Sequence, residues 1–405
     1  MNSPAISSCD IFCTVVDNYG DIGVCWRLAK QLAGEHGMVV RLWVDDLASF
    51  RKLCPEVIHD KPIQYSHGVE IRHWGVMFAE VTPAQLVIEA FACELPQRYV
   101  QAMVEQLHKP LWLNLEYLSA EDWVAGCHGL PSPQQKLPLV KYFFFPGFTN
   151  ETGGLLLEHD LLARRDAFQT DQLAQEKYWQ ALRVPPRRPG EIRVSLFSYE
   201  NTAVSALLAV WASGQQAVTC LVPEGRVLPQ VAAFYGRQQL VAGDVVEQGS
   251  LRVQVLPFVE QEEYDKLLWA CDINFVRGED SCVRAQWAGK PFIWHIYPQH
   301  DGVHMKKLHA LLDLYSQGLD PQTAHGLNQL WELWNAGENT DKTASNSAGQ
   351  AASTGSGQAW NQLLLHQSML LRHAQVWAQQ LSSNNLALNL LDFSCKVGRI
   401  APFEF

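Results

Sequence analysis

Apolar positions in the first third of the chain follow two alternating patterns. Unbroken apolar and β-branched runs at 10–16 (DIFCTVV), 39–45 (VVRLWVD), 85–91 (QLVIEAF) and 110–118 (PLWLNLEYL) read as strands. Between them, 22–33 (IGVCWRLAKQLA) and 96–108 (PQRYVQAMVEQLH) carry apolar residues at helical spacing. Strands separated by helices imply parallel βαβ units.

The pattern breaks at 183–201, RVPPRRPGEIRVSLFSYEN, where Pro185, Pro186, Pro189 and Gly190 stop the preceding helix and a new strand follows. Proline fixes φ and removes a donor, so this stretch is the linker of choice. The alternation then restarts. Strands are expected at 192–198, 217–223, 251–258, 273–276 and 291–297, and helices at 202–213, 262–272 and 282–289.

Two similar α/β halves follow from this: an N-terminal Rossmann-like domain over 1–184 and a C-terminal one over 185–375, with 376–405 a helical segment suited to packing back across the junction. Residues 336–359, AGENTDKTASNSAGQAASTGSGQA, are small and polar and read as a disordered surface insert. Tandem open α/β sheets place an interdomain cleft at the carboxyl ends of their strands, where such sheets bind ligands.

Composition narrows the function. A chain of 405 residues, 47% hydrophobic, fills two cores, and a formal charge of -11 argues against a broad nucleic-acid-binding face. No apolar run approaches the ~20 residues a membrane span needs, and the N-terminus lacks a signal-peptide pattern. A cytoplasmic protein is expected, with no membrane association and no direct nucleic-acid contact. Ten cysteines occur without a C-x-x-C pair, so zinc-knuckle and redox readings lose support. His304 and His309 are too poorly spaced for a metal pair on one helical face.

The first βα turn is D-N-Y-G-D-I-G at 17–23, with neither a dinucleotide fingerprint nor a P-loop. Ile22, Cys25, Trp26, Ala29, Leu32 and Ala33 mark the buried helix face, which makes Asp21 the expected N-cap, with Asp17 and Asn18 shaping an Asx turn and Gly20 taking a positive φ. Those features are ordinary turn chemistry. Two carboxylates at a strand's carboxyl end also suit a cationic or proton-bearing ligand, with one as general base.

The second half repeats this geometry. After the strand at 273–276 come Arg277, Gly278, Glu279, Asp280 and Ser281, opening a helix whose first amides favour an anion. Ser281 can cap the helix or bind phosphate, and Arg277 can neutralise it or pair with Glu279. Phe197, Tyr199 and Phe258 stand at strand ends, where aromatic faces sandwich a nucleobase or simply fill core.

The blocks DNYGDIGVCWRLA, LFSYEN, LPFVEQEEYDKLLWACD and NFVRGEDSCVRAQWAGKPFIWHIYPQ span both halves and together resemble the EarP family of protein-arginine rhamnosyltransferases that modify translation elongation factor P. Cys282 departs from the pattern, where a larger apolar residue is expected, and the polar insert is not associated with the family's core. The resemblance implies a GT-B fold, two facing Rossmann-like domains, the donor dTDP-β-L-rhamnose held mainly by the C-terminal one, no metal, and an arginine of elongation factor P as acceptor. Inversion at the anomeric carbon would give an α-rhamnosyl arginine.

Carried onto this chain, Asp21 is the general base and Asp17 supports it. Asn18 sits at the donor. Phe197, Tyr199, Phe258 and Gln261 form the thymine and deoxyribose pocket, and Arg277, Glu279, Asp280, Ser281 and Tyr297 surround the pyrophosphate and sugar. Glu279 joins the aspartates as a catalytic candidate with its role open, since an anion beside pyrophosphate needs a cation, a hydroxyl or a proton. The chemistry fits: a guanidinium, with a pKa above ~12, is a poor nucleophile, and a carboxylate can both orient it and take its proton. The alternatives are a sugar-nucleotide epimerase or small-acceptor glycosyltransferase of the same fold, and a non-catalytic nucleotide-binding regulator of translation. A nicotinamide dehydrogenase fits least.

Overall fold

A computed structural model describes residues 6–17, 19–75, 78, 80–299, 302–336 and 346–398. The chain divides into two compact units, Met1–His159 with Leu381–Phe405, and Asp160–Gln380.

The first unit opens with β1 (Ser8–Cys13), α1 (Gly20–Gly34), β2 (Val39–Val44), α2 (Leu47–Leu53), β3 (Ile63–Ser66) and β4 (Val69–His73). It continues through β5 (Leu86–Ala90), α3 (Gln97–Glu105), β6 (Leu111–Leu115), α4 (Trp123–Cys127), β7 (Pro131–Pro133) and β8 (Val140–Phe144). The sheet order is β3-β4-β2-β1-β5-β6-β8-β7, with six central parallel strands and an antiparallel strand at each edge. Counting only the parallel strands, the order is that of a Rossmann sheet, and the chain reverses direction across the sheet between β1 and β5. Phe12 stacks on Trp43 at 5.3 Å, within a core that also holds Val87, Tyr99 and Trp112.

The second unit begins with α5 (Leu161–Thr170) and α6 (Gln172–Ala181), followed by β9 (Ile192–Leu196), α7 (Ala203–Ser213), β10 (Val218–Pro223), α8 (Leu228–Phe234), β11 (Val245–Gln248) and β12 (Leu251–Leu256). Then come α9 (Gln261–Ala270), β13 (Ile273–Arg277), α10 (Gly278–Trp287), β14 (Phe292–His295), α11 (Val303–Tyr315), α12 (Pro321–Asn335), α13 (Asn346–Leu365) and α14 (Gln367–Leu381). Its sheet runs β11-β12-β10-β9-β13-β14, again Rossmann-like, with the reversal between β9 and β13.

Two boundaries differ from the sequence reading. The division falls at His159, ahead of the proline-rich linker, because α5 and α6 pack on the second unit: Phe168 lies 5.9 Å from Trp269, and Tyr178 and Trp179 share a core with Leu221, Leu256 and Leu267. The final helix α15 (Leu386–Val397) belongs to the first unit. Asn384, Asn385 and Asn389 donate to the carbonyls of Thr149, Leu157 and Gly153, and Phe393 packs on Phe144 at 5.8 Å.

The polar insert is also partly corrected. Residues 337–345 lie outside the described residues, but 346–359 belong to α13. Ser356 and Ala359 are buried, a Cβ on Gly357 would meet Val210 at 3.5 Å, and Trp360 packs on Trp211 at 5.1 Å. Small residues that offer nothing to a core by composition here admit a neighbouring helix at close range.

Candidate functional site

In the first unit the site grows from the carboxyl end of β1. The amide of Gly20 donates to the Asp17 carbonyl at 2.7 Å, closing the turn before α1. Asp21 is not the N-cap. That position is Tyr19, without a side-chain cap, and the Asp21 carboxylate instead reaches back to accept from the amides of Val16 and Asp17, both at 2.9 Å. Gly20 has no positive φ. A Cβ there would sit 2.9 Å from Asp17 Oδ2, so the glycine makes room for a carboxylate. Asn18 lies outside the described residues.

Asp21 is buried, and burial raises its pKa above the ordinary value of 3.8. The two amide bonds and the Tyr117 hydroxyl pull the other way, while the charge of Asp17 adds to the rise. The balance is a carboxylate with more than usual appetite for a proton.

The sequence reading missed what faces this carboxylate. Tyr117 follows β6 and stacks on Phe91, just past β5, with ring centroids 4.5 Å apart. Phe91, Ala92 and Glu94 have φ of 56°, 53° and 55°, in the left-handed region that such residues seldom enter. The Asn114 side chain accepts the Ala92 amide at 3.1 Å and holds the turn. Backbone strain at the point where a Rossmann sheet reverses is a mark of function no periodicity reveals.

In the second unit the candidates gather at the ends of β9 and β13. Gly278, at φ 63°, turns the chain from β13 into α10, and its carbonyl accepts from Trp294 Nε1 at 2.7 Å. Arg277 is buried with its guanidinium 4.4 Å from the Phe197 ring and 4.8 Å from the Tyr199 ring. Tyr199, itself buried, meets Tyr297 edge-on at 5.5 Å. Two of the three predicted base-stacking rings, Phe197 and Tyr199, therefore contact a cation in this structure.

Ser281 does not cap the helix in the usual forward sense. Its hydroxyl accepts from the Arg277 amide at 3.0 Å and donates to the Arg277 carbonyl, locking the turn that presents the arginine. Gln261, at the start of α9, donates to Asp280 at 3.3 Å, while Glu279 has Lys307 of α11 at 3.8 Å. Lys307 is thus a cation for the awkward carboxylate. Phe258 is half-buried, its amide 3.4 Å from Glu224. A buried ion pair, Arg284 to Asp265 at 2.7 Å and 3.0 Å, fixes α10 against α9. Cys282 is fully buried in α10, so its departure from the pattern concerns packing.

His295 is a further residue missed by the sequence reading, hidden in what reads as an ordinary buried strand. Its Nδ1 and the Ser198 hydroxyl are 2.8 Å apart, and burial, reinforced by the nearby Arg277 charge, pushes its pKa down to about 3. It is a neutral hydrogen-bonding group behind the arginine. His304, by contrast, accepts the Gln299 amide at 3.1 Å in a local turn.

No helix among the described residues is long and apolar enough to cross a membrane. Residues 9–395 match the family described as Elongation-Factor P (EF-P) rhamnosyltransferase EarP. A protein-arginine rhamnosyltransferase of Pseudomonas putida is 50% identical over 385 residues, 95% of this chain and 97% of its own. One of Shewanella oneidensis is 43% identical over 397 residues, covering 95% and 96%. A solved structure concerning EarP-mediated arginine glycosylation of translation elongation factor EF-P is 37% identical, covers 96% of this chain and 98% of its own, and has a TM-score of 0.65. A UDP-glucosyltransferase from Polygonum tinctorium, 10% identical with coverage of 98% and 99%, shares the fold at a TM-score of 0.53.

Proposed function

The chain belongs to the EarP family of EF-P rhamnosyltransferases and has the GT-B glycosyltransferase fold, and from this premise we propose that it transfers L-rhamnose from dTDP-β-L-rhamnose, with inversion, to an arginine of translation elongation factor P. It is a protein-arginine rhamnosyltransferase. The reading places it in the cytoplasm.

In this proposal Asp21 is the general base. A guanidino nitrogen of the acceptor attacks the anomeric carbon, the bond from that carbon to the diphosphate oxygen breaks, and Asp21 takes the nitrogen's proton. The raised pKa of Asp21 supports the role, since a stronger base still ionised at neutral pH removes the proton more readily. Asp17, held beside it, orients the guanidinium by a charge-assisted hydrogen bond. The Phe91 and Tyr117 pair offers an aromatic face of the kind that cations favour. Asn18 is assigned to the donor.

On the donor side, dTDP departs with growing negative charge. Arg277, the first amides of α10 and Tyr297 are assigned to that charge, with Asp280 and Glu279 directed to rhamnose or deoxyribose hydroxyls and Glu279 balanced by Lys307. Phe197, Phe258 and Gln261 are assigned to the base and deoxyribose. Stacking on a thymine requires the Arg277 guanidinium to yield part of the Phe197 face. Ser281 and the buried Tyr199 serve by holding Arg277.

The observation that carries this reading is the family match along almost the whole chain, together with a buried, proton-hungry aspartate at the reversal point of the first sheet. Incubation with dTDP-β-L-rhamnose and elongation factor P, followed by intact mass measurement, tests it. One deoxyhexosyl addition is expected on the protein acceptor. Consumption of the sugar nucleotide at the same rate without elongation factor P would instead favour an epimerase or a small acceptor.

A further inference from the structure

The arginines of the proline-rich linker have no part in the chemistry above, and they lie beside a cavity. About 500 Å³ in volume, it is bounded by α6, by residues 184–187 and by the start of β9. Arg187, Arg193, Trp179, Gln172, Gln180 and Glu176 are among the residues lining it. That volume is in the range of small-molecule sites. Arg193 stands at the amino end of β9, four residues and so roughly 13 Å along the strand from Phe197 at the other end.

The ionic network beside this cavity leaves one buried donor over. Arg187 is paired with Asp272 at 2.5 Å, and Glu191 is shared between Arg188 at 2.9 Å and Arg193 at 3.1 Å. Three guanidiniums share these two carboxylates, and Glu176 in the cavity wall is a third acid. Arg193 is almost fully buried with its guanidinium 4.6 Å from the Trp179 ring centroid, and its Nη1 has no hydrogen-bond partner among the described residues. A buried cationic donor left unmatched is costly, and an anion is the partner that would offset it. The one carboxylate lining the cavity, Glu176, already accepts from Gln172 at 3.0 Å.

We propose that this cavity is an anion site that binds a phosphate group, at the amino end of β9, opposite the end that carries the donor-binding residues. Arg193 supplies the charged contact, and the exposed Gln180 amide supplies a neutral donor to another oxygen. Nε of Arg193 is taken by Glu191 and Nη2 by the Pro185 carbonyl, so Nη1 is the nitrogen left to donate, and its charged N–H groups suit an oxyanion.

Calorimetric titration of the full chain at constant ionic strength tests the site with two probes, inorganic phosphate and ribose 5-phosphate. The exposed Gln180 can be changed without touching the buried network: Gln180→Glu should weaken binding of either probe about tenfold through like-charge repulsion, and Glu176→Gln should strengthen it several-fold. Circular dichroism confirms that both variants fold. Tighter binding of ribose 5-phosphate identifies the occupant as a phosphate monoester, and equal binding identifies free phosphate. Absence of binding of both probes at about 10 mM, or binding that neither substitution alters, overturns the proposal.

Discussion

The amide of Asp17 donates to the carboxylate of Asp21 at 2.9 Å, so the two acids of the first βα turn are one mechanical unit. Turning the Asp21 carboxylate away releases the backbone from which the Asp17 side chain projects. Asp21→Asn keeps an oxygen for the amides of Val16 and Asp17 but cannot accept the guanidinium's proton. Transfer to elongation factor P should fall about 10³-fold while dTDP affinity, measured by calorimetry, stays within about twofold. Retention of full transfer activity would remove Asp21 from the role of base.

The pH profile follows from the sign of the shift. Asp21 must be ionised to act, and burial raises its pKa, so the acid limb of kcat/KM should lie above the value of about 3.9 typical of an exposed aspartate. Activity falls as pH drops through that limb with unit slope. An acid limb at or below the ordinary aspartate value would contradict the assignment.

The same shift makes a stability prediction. A carboxyl whose folded pKa exceeds its unfolded pKa favours the native state when protonated, and this advantage is lost as pH rises through the folded pKa. At neutral pH wild-type Asp21 is ionised and bears the cost of burial. Asp21→Asn should therefore melt at the same temperature or higher at neutral pH, with the difference shrinking in acid. A clearly lower melting temperature at neutral pH would show that the charge itself stabilises the turn.

Gly20→Ala separates position from charge. The added Cβ would come within 2.9 Å of Asp17 Oδ2, and the side chain must swing away. Because φ at this glycine is not positive, alanine costs the backbone little. Transfer should drop roughly 10- to 100-fold, as for a misplacement of about 1 Å, with the melting temperature nearly unchanged. Unchanged kcat would mean that the orientation of Asp17 is immaterial.

The central strands of both Rossmann sheets were legible in the chain because parallel, buried strands leave continuous apolar runs, as at 85–91 and 273–276, whereas β4 and β8, with polar residues among their apolar ones, and the outer strands β3, β7 and β11 were not read. The site was legible to the extent that its residues sit immediately after such runs. Tyr117 and Phe91 were not recognised, since their pairing joins the ends of different strands and the positive φ of Phe91 leaves no compositional trace. The domain boundary was misplaced for a related reason. Prolines mark where a chain turns, whereas membership of a core is decided by contacts such as Phe168 on Trp269, far apart in sequence. The roles of Gly20 and Ser281 depend on what each atom approaches, a three-dimensional fact.

Arg277 offers the sharpest test of the donor side, because its charge and its shape can be separated. The guanidinium lies between the Phe197 and Tyr199 rings, and Ser281 holds its backbone by amide and carbonyl alike. Arg277→Lys keeps the charge but gives up the planar fork and the two ring faces, so it should behave as a loss of function. One charged hydrogen bond is worth about 1.5–3 kcal/mol, which corresponds to a roughly 10- to 100-fold weaker Kd for dTDP. Ser281→Ala leaves the guanidinium in place and loosens only the turn, so its effect on Kd should be smaller than that of Arg277→Lys. Equal losses in the two variants would mean that Ser281 contacts the nucleotide directly, having released Arg277 on binding. Unaltered dTDP affinity in Arg277→Lys would move the diphosphate site away from the end of β13.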